Sequence, residues 1–423
     1  MSYVMYLISI LLISSDYFRF ALNIPFMDRI SVGISLVVFL YCVLIKRRKF
    51  KVLSFGFLSL LIAYYSFIVF YSLVKGNSIP AVVYGTVKIS TFLFFMPLFS
   101  VLTSSELKSA VRIFVNVSIV YLSFNLFVMC LQIIFGDSIV SLFGMPAEMY
   151  NSTMKSGRPM GLYGNLPALS LSAVCLYVLI DGFFPELCQY KLKKIILLTT
   201  IILSTSKIAI LILAMYFLFK YLKIKGVLKL VYIVVLFSSL VAYALNNELF
   251  VDKFVQLGRI ISLGDNFYAA DLTLVDWRFY CYVLAIQIFF DNPLGLGLAT
   301  WGDFSSTLNS NITHNYTLVN MSDSAYSHLF VEQGVFVFLY LFVIMYPCLK
   351  KKDRRVLFFP AIAFVSFIST MGFSDTTWPA IYAFCLSSIL FSHQLRFRSR
   401  EGVHNSPSTQ QVKHHYKHVR QCR

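Results

Sequence analysis

The sequence predicts an all-α fold: a polytopic integral membrane helical bundle of about twelve transmembrane helices, with two larger loops on one side. Three observations predict it. Of the 423 residues 58% are hydrophobic and 13% are charged, and the mean hydropathy is +0.75, whereas a soluble domain carries about 25% charged residues. Apolar runs of helix-spanning length cover most of the chain, and a bilayer core needs about 20 such residues per span. Basic residues fall between the runs in a regular alternation.

The expected spans are 3–15, 30–46, 52–73, 82–103, 113–135, 166–184, 195–206, 208–222, 229–246, 328–347, 356–373 and 378–393. They are apolar all round, as lipid-facing helices should be, and show none of the polar–apolar alternation of barrel strands. The first has no basic n-region and no small-residue cleavage site, so it reads as an anchor. Ser204, Thr205, Ser206 and Lys207 interrupt 195–222, which is either a tight helical hairpin or one distorted span. Residues 1–393 form a single transmembrane domain on this reading, and 394–423 a basic, disordered tail.

Most of the 36 Lys and Arg follow the even-numbered spans or lie in the tail. By the positive-inside rule this puts both termini in the cytoplasm. The net charge of +17 is spread over every cytoplasmic turn and so reports topology; nucleic acid is not an expected partner. The 8 Cys show no paired spacing, which argues against a disulfide framework or a zinc site.

Two outward segments are long enough for chemistry, 136–165 and 247–327, and long loops in a compact protein usually carry function. The first ends in Arg158-Pro-Met-Gly161-Leu-Tyr163-Gly164-Asn165, irregular backbone beside the membrane surface. Arg158 offers five fixed donors for phosphate or carboxylate, or for the loop's own carbonyls. The second holds Arg259, then Arg278 and an apolar stretch that stops at Asn292-Pro293-Leu-Gly295-Leu-Gly297. Those glycines either admit a ligand close to the backbone or simply stop the helix. Tyr268, Trp277, Phe279, Tyr280 and Trp301 either stack on sugar rings or form an interfacial belt. The loop closes with Asp323-Ser324-Ala-Tyr326, entering the span that carries Glu332, Gln333 and Gly334. Lys88, Lys207 and Glu332 lie toward the outer parts of their spans, where snorkelling lowers the cost of a charge.

Four segments together resemble the bacterial family of O-antigen polymerases and O-antigen ligases, polytopic membrane glycosyltransferases. Arg158 to Asn165 is similar to the family's arginine–glycine–asparagine stretch. Leu203-Ser-Thr-Ser206-Lys207 resembles its serine–arginine break, with Lys in place of Arg. Arg278, its apolar helix and Asn292-Pro293-Leu-Gly295-Leu-Gly297 resemble its arginine–helix–NPLGxG block. Asp323-Ser324 to Glu332-Gln333-Gly334 resembles the block that closes the large loop. Ligases typically carry a histidine–asparagine pair where this chain has Asp323-Ser324, and polymerases frequently show the aspartate–serine form, so the resemblance is to the polymerase branch. The arginine–ten residues–glycine spacing described for polymerases is absent, since Leu169 and Phe289 stand at the glycine positions.

The resemblance implies transfer of a growing glycan from undecaprenyl diphosphate to a fresh undecaprenyl-diphosphate-linked repeat unit at the periplasmic face. The membrane lipid, a chain-length regulator and a flippase of the same pathway are the implied partners. Arg158 and Arg278 are the candidate diphosphate-binding residues, with Arg259 and Lys207 beside them, and Asp323 is the candidate base on the acceptor hydroxyl. Gly161, Asn165, Asn292, Gly295, Gly297 and Tyr326 are the expected substrate-binding positions. No cofactor is implied, and with no acidic metal cluster in the sequence the reaction is expected to be metal-independent. The alternatives are a ligase acting on lipid A-core, or a non-enzymatic glycolipid flippase or transporter.

Overall fold

The computed structural model describes residues 1–24, 27–136, 138–146, 159–188, 191–221, 277–302, 324–349, 354–367 and 377–404, with the backbone alone at 28, 188, 221, 277–280, 354 and 393–404. Every regular element among them is a helix. Among the described residues four helices are long and apolar enough to cross a membrane: Phe55–Val74, Ser104–Phe135, Leu166–Phe183 and Ala325–Leu349. Two bent pairs, Ser2–Ile13 with Ser15–Ala21 and Ile79–Ile89 with Thr91–Val101, raise the number to six. Shorter apolar helices stand at Arg29–Ile45, Arg355–Ser366 and Thr377–Ser392, where spans were expected. The expected span at 229–246 and most of the loop 247–327 lie outside the described residues.

The elements used below are α1 (Ser2–Ile13), α2 (Ser15–Ala21), α3 (Met27–Leu40), α4 (Phe55–Val74), α5 (Ile79–Ile89), α6 (Met96–Val101), α7 (Ser104–Phe135) and α8 (Leu166–Val178). They continue with α9 (Lys191–Leu203), α10 (Lys207–Tyr221), α11 (Trp277–Asp291), α12 (Ala325–Gln333), α13 (Val337–Leu349), α14 (Phe358–Ser366) and α15 (Thr377–His404). The last helix runs on to His404 and so takes in the start of the tail. One apolar core joins α1, α4, α7, α8, α12–α15 and the α9–α10 pair. Helix α8 and the first part of α15 are buried on every side, which makes them the centre of the bundle.

Helix α7 starts on a capping box, with Thr103 Oγ1 accepting from the Glu106 amide and the Glu106 carboxylate accepting from the Thr103 amide, a device that satisfies two orphan donors at once. Arg48, beyond α3, donates to both Glu106 oxygens at 2.6 and 2.9 Å, and that hydrogen bonding raises its guanidinium pKa.

The interruption at 204–206 resolves into two helices. Asp181, in the π-helical turn that extends α8, accepts from Lys194 Nζ at 2.7 Å, from Tyr216 Oη at 2.7 Å and from Lys220 Nζ. Lys194 lies in the first turn of α9 and Lys220 in the last turn of α10. One carboxylate can hold both only if the two helices run antiparallel, so the hairpin reading is the one the structure bears out. Thr205, with φ +48°, makes the turn.

Candidate functional site

Contacts between helices link two of the motif segments, 159–165 and 324–334. Tyr163 Oη donates to the Ile13 carbonyl at 3.2 Å. Thr377 Oγ1, heading α15, lies 2.5 Å from both Ser15 Oγ and Asp16 Oδ1. Trp378 packs on Phe92 with ring centroids 6.1 Å apart, and Phe92 on Phe367 at 5.5 Å. Ser324 Oγ donates to the Phe367 carbonyl at 2.9 Å. The loop before α8 and the head of α12 are thereby tied through the first turn of α15.

The segment 159–165 is packed into the bundle, with Met160, Leu162 and Tyr163 buried. Non-helical backbone survives at such a place only if protein groups satisfy its amides. Two side chains of α7 do so. Gln132 Oε1 accepts from the Met160 and Gly161 amides, each at 3.0 Å, and Asn125 Oδ1 accepts from Leu162 at 2.6 Å. Gly161 has φ +61° and faces the Asn125 side chain so closely that a Cβ has no room. Asn165 is the N-cap of α8, accepting from the Ala168 amide at 3.4 Å. Asn125 and Gln132 are absent from the sequence-derived candidates because they sit inside an apolar run; their seven-residue spacing, which puts both on one helical face, is the signal that marks them.

The Asn292–Gly297 block has a packing partner within the chain. It lies against the break between α12 and α13, where Gly334 has φ +53°. The Val331 and Glu332 carbonyls, which lose their helical partners at the break, accept from the Leu296 and Gly297 amides at 2.8 and 2.9 Å. The Val335 amide donates to Pro293 at 2.8 Å. A Cβ on Gly295 would stand 2.6 Å from the Glu332 carbonyl oxygen, and Tyr71 Oη donates to the Gly295 carbonyl at 2.8 Å. Leu298 is held from both sides, by Ser72 Oγ at 3.0 Å and Asn77 Nδ2 at 2.9 Å. The backbone that approaches these glycines is therefore the protein's own. Asn292 continues the helical pattern, its amide donating to Ile288 at 2.8 Å.

At the head of α12, Ser324 Oγ accepts from the Tyr326 amide at 3.2 Å, and Tyr326 Oη donates to the Phe364 carbonyl at 2.9 Å. His328 is buried with its ring against Gly302, and its Nδ1 is 3.9 Å from Glu332 Oε1. Glu332 does not snorkel: it is 3% exposed, at the helix break. Lys88 is also 3% exposed, with Nζ 5.8 Å from the Tyr84 ring centroid. Lys207 is exposed, at the end of the hairpin remote from Asp181. Arg158, Arg259 and Asp323 lie outside the described residues. Arg278 is in the first turn of α11, described by its backbone, and Asp323 immediately precedes the Ser324 cap.

Residues 194–342 match the O-antigen ligase family. The matched segment runs from α9 into α13 and takes in the hairpin, the Asn292–Gly297 block and the helix break it supports. No curated protein matches the chain. The match and the motif geometry agree in what they point to: over residues 194–342 this all-helical chain is similar to the O-antigen ligase family.

Proposed function

We propose that the chain is an O-antigen or related surface-polysaccharide polymerase. It transfers the growing glycan from undecaprenyl diphosphate to a new undecaprenyl-diphosphate-linked repeat unit at the periplasmic face of the inner membrane. The proposed topology has about twelve spans and both termini in the cytoplasm. The observation that carries the reading is the pair Asp323-Ser324 at the head of α12, where ligases typically have histidine–asparagine. In this chain the second member is committed to the fold, since the Ser324 hydroxyl caps α12 and bonds the Phe367 carbonyl. That leaves the first member, Asp323, as the chemically available group.

In the proposed reaction the acceptor hydroxyl oxygen bonds to the anomeric carbon of the donor glycan. The bond from that carbon to the diphosphate oxygen breaks, and its electron pair leaves with undecaprenyl diphosphate. Asp323 takes the acceptor's proton. Arg158 and Arg278 bind the diphosphate and stabilise the charge it gains, by preorganised, charge-assisted hydrogen bonds; Arg259 and Lys207 contribute at longer range. The donor is already activated by its diphosphate, so neither a nucleotide sugar nor a metal is required. A chain-length regulator and a flippase of the same pathway are the proposed partners.

Surface lipopolysaccharide from a strain lacking the chain, run beside its complemented parent, tests this. Collapse of the ladder to core plus one repeat unit is expected. Bare core with polymer still on the lipid carrier would make the chain a ligase.

A further inference from the structure

The span that follows α4 is broken: its halves, Ile79–Ile89 and Thr91–Val101, meet at 48°. Thr86 and Ser90 hydroxyls bond back to the carbonyls four residues earlier, at 2.7 and 2.6 Å, a pattern that bends helices. The Ile89 carbonyl accepts from the Tyr65 and Tyr340 hydroxyls at 3.3 and 3.0 Å. Broken helices at membrane depth are where membrane proteins often place substrate and ion sites.

Lys88 stands at this break and is 3% exposed. An ionisable group buried inside a membrane bundle is costly to keep and marks a functional site by default. The parts of two motif segments flank it. One turn before Lys88, on the same face of α5, Gly85 touches the residues that follow the Asn292–Gly297 block. A Cβ there would stand 2.7 Å from Leu298 Cβ and 3.2 Å from the Ala299 nitrogen. Ala299 has φ +57°, a strained conformation for a residue with a Cβ and one that gathers at ligand-handling sites. Four residues after Lys88, Phe92 packs on Phe367. The Phe367 carbonyl accepts from Ser324 Oγ at 2.9 Å and from the Ala325 amide at 3.1 Å. Lys88 is thus placed on the helix between the strained Leu298–Ala299 segment and the head of α12.

We infer that the ammonium of Lys88 is a further fixed charge of the diphosphate site, drawing the diphosphate of the lipid-linked substrate to the seam between Leu298–Ala299 and the head of α12. The inference rests on the proposed function, and it adds to the arginines a lysine that lies outside the family-matched residues 194–342. The diphosphate is the anion of that reaction that gains charge as the glycosyl bond breaks. Burial suits the role: a charge held away from water acts on an anion more strongly than an exposed one, and it needs no reorganisation when the leaving group departs.

The test is equilibrium binding of undecaprenyl diphosphate, without glycan, to the purified full chain. Undecaprenol, with the same tail and no phosphate, is the second probe. Lys88→Met keeps the length of the side chain and removes its charge. It is expected to raise Kd for the diphosphate by about tenfold to a hundredfold, the scale of one charge-assisted hydrogen bond, and to leave undecaprenol binding unchanged. Lys88→Gln, a neutral variant that stays polar, is expected to do the same if Met at this buried position impairs folding. Lys88→Arg should recover part of the affinity, since it restores charge with a different shape. Lys75→Met, at an exposed lysine four residues before α5, should change Kd by no more than about twofold. An unchanged diphosphate Kd in the neutral variants would overturn the inference. So would a loss shared by undecaprenol, or one that Lys88→Arg does not reduce, either of which makes Lys88 a structural residue. Polymerisation by the wild-type chain reads the proposed function separately: no polymer refutes that function, whereas polymer together with an unchanged Kd in Lys88→Met refutes the inference alone.

Discussion

The amide of Gly297 donates to the carbonyl of Glu332 at 2.9 Å, although the two residues belong to different motifs. The bond fills the gap left where α12 breaks, and it needs a residue without a side chain, because Asn77 Nδ2 occupies the space a Cβ would take. The NPLGLG run and the helix break are thus two halves of one packing unit.

Substitution of Gly297 by Val is therefore expected to destabilise the protein severely. Gly297 has φ +94°, and forcing a branched residue there adds a steric clash to a backbone strain of about 1–3 kcal/mol. Thermal unfolding in detergent should show a lowered midpoint. Asn77→Ala, which makes room for a Cβ, is expected to recover part of the loss in Gly297→Ala; no recovery would mean that the contact is not what constrains the position.

The buried loop depends on α7. Gln132→Leu removes the acceptor shared by the Met160 and Gly161 amides, and Asn125→Leu removes that of the Leu162 amide. Gln132→Leu removes two buried hydrogen bonds and Asn125→Leu one, at about 1 kcal/mol each, so Gln132→Leu is expected to lower the unfolding midpoint further. Hydrogen exchange at 160–163 is expected to rise in both. Unchanged exchange would contradict the assigned bonds.

The Asp181 clasp should behave non-additively. Its side chain is 2% exposed, while Lys194 and Lys220 are about one third exposed. Losing one lysine leaves the other to pair the carboxylate, and with that much solvent screening the cost should be at most about 1 kcal/mol. Losing both, as Met, leaves a buried carboxylate with Tyr216, a cost expected to exceed the sum of the singles. Unfolding midpoints of the two singles and the double measure the coupling directly.

For the proposed chemistry, Arg158→Ala and Arg278→Ala are each expected to lower polymerisation by about 10²-fold or more, the scale of losing a preorganised charge donor. Lys at either position should restore a fraction, since it supplies charge without the planar fork. Asp323→Asn should abolish chain extension while leaving the protein folded. Wild-type chain length and yield in any of the three would remove that residue from the mechanism.

Much of the helical scaffold is legible in the sequence because apolar runs of spanning length admit few other structures. The run at 52–73 reappears within a few residues as α4 and that at 166–184 as α8 with its π-helical extension to Phe183, while the run at 113–135 is the later part of α7, which starts at Ser104. What is not legible is non-local. Asn125 and Gln132 vanish into the average hydropathy of their run, and their use appears only when the loop some thirty residues on folds back to them. Asp16 reads as the residue after a first span, yet it bonds Thr377, 361 positions away. In the sequence the NPLGLG glycines read equally as a ligand approach or a helix stop, and their packing against the Val331 and Glu332 carbonyls appears only in the fold. Glu332 and Lys88 are placed by rule in snorkelling positions, but packing buries both.

The most direct test of the polymerase assignment is reconstitution of the purified chain with undecaprenyl-diphosphate-linked repeat units as the sole glycan substrate. The expected product is a ladder of lipid-linked polymer, with one undecaprenyl diphosphate released per bond formed. Absence of any ladder until lipid A-core is added, followed by glycosylation of that core, would contradict the assignment and make the chain a ligase.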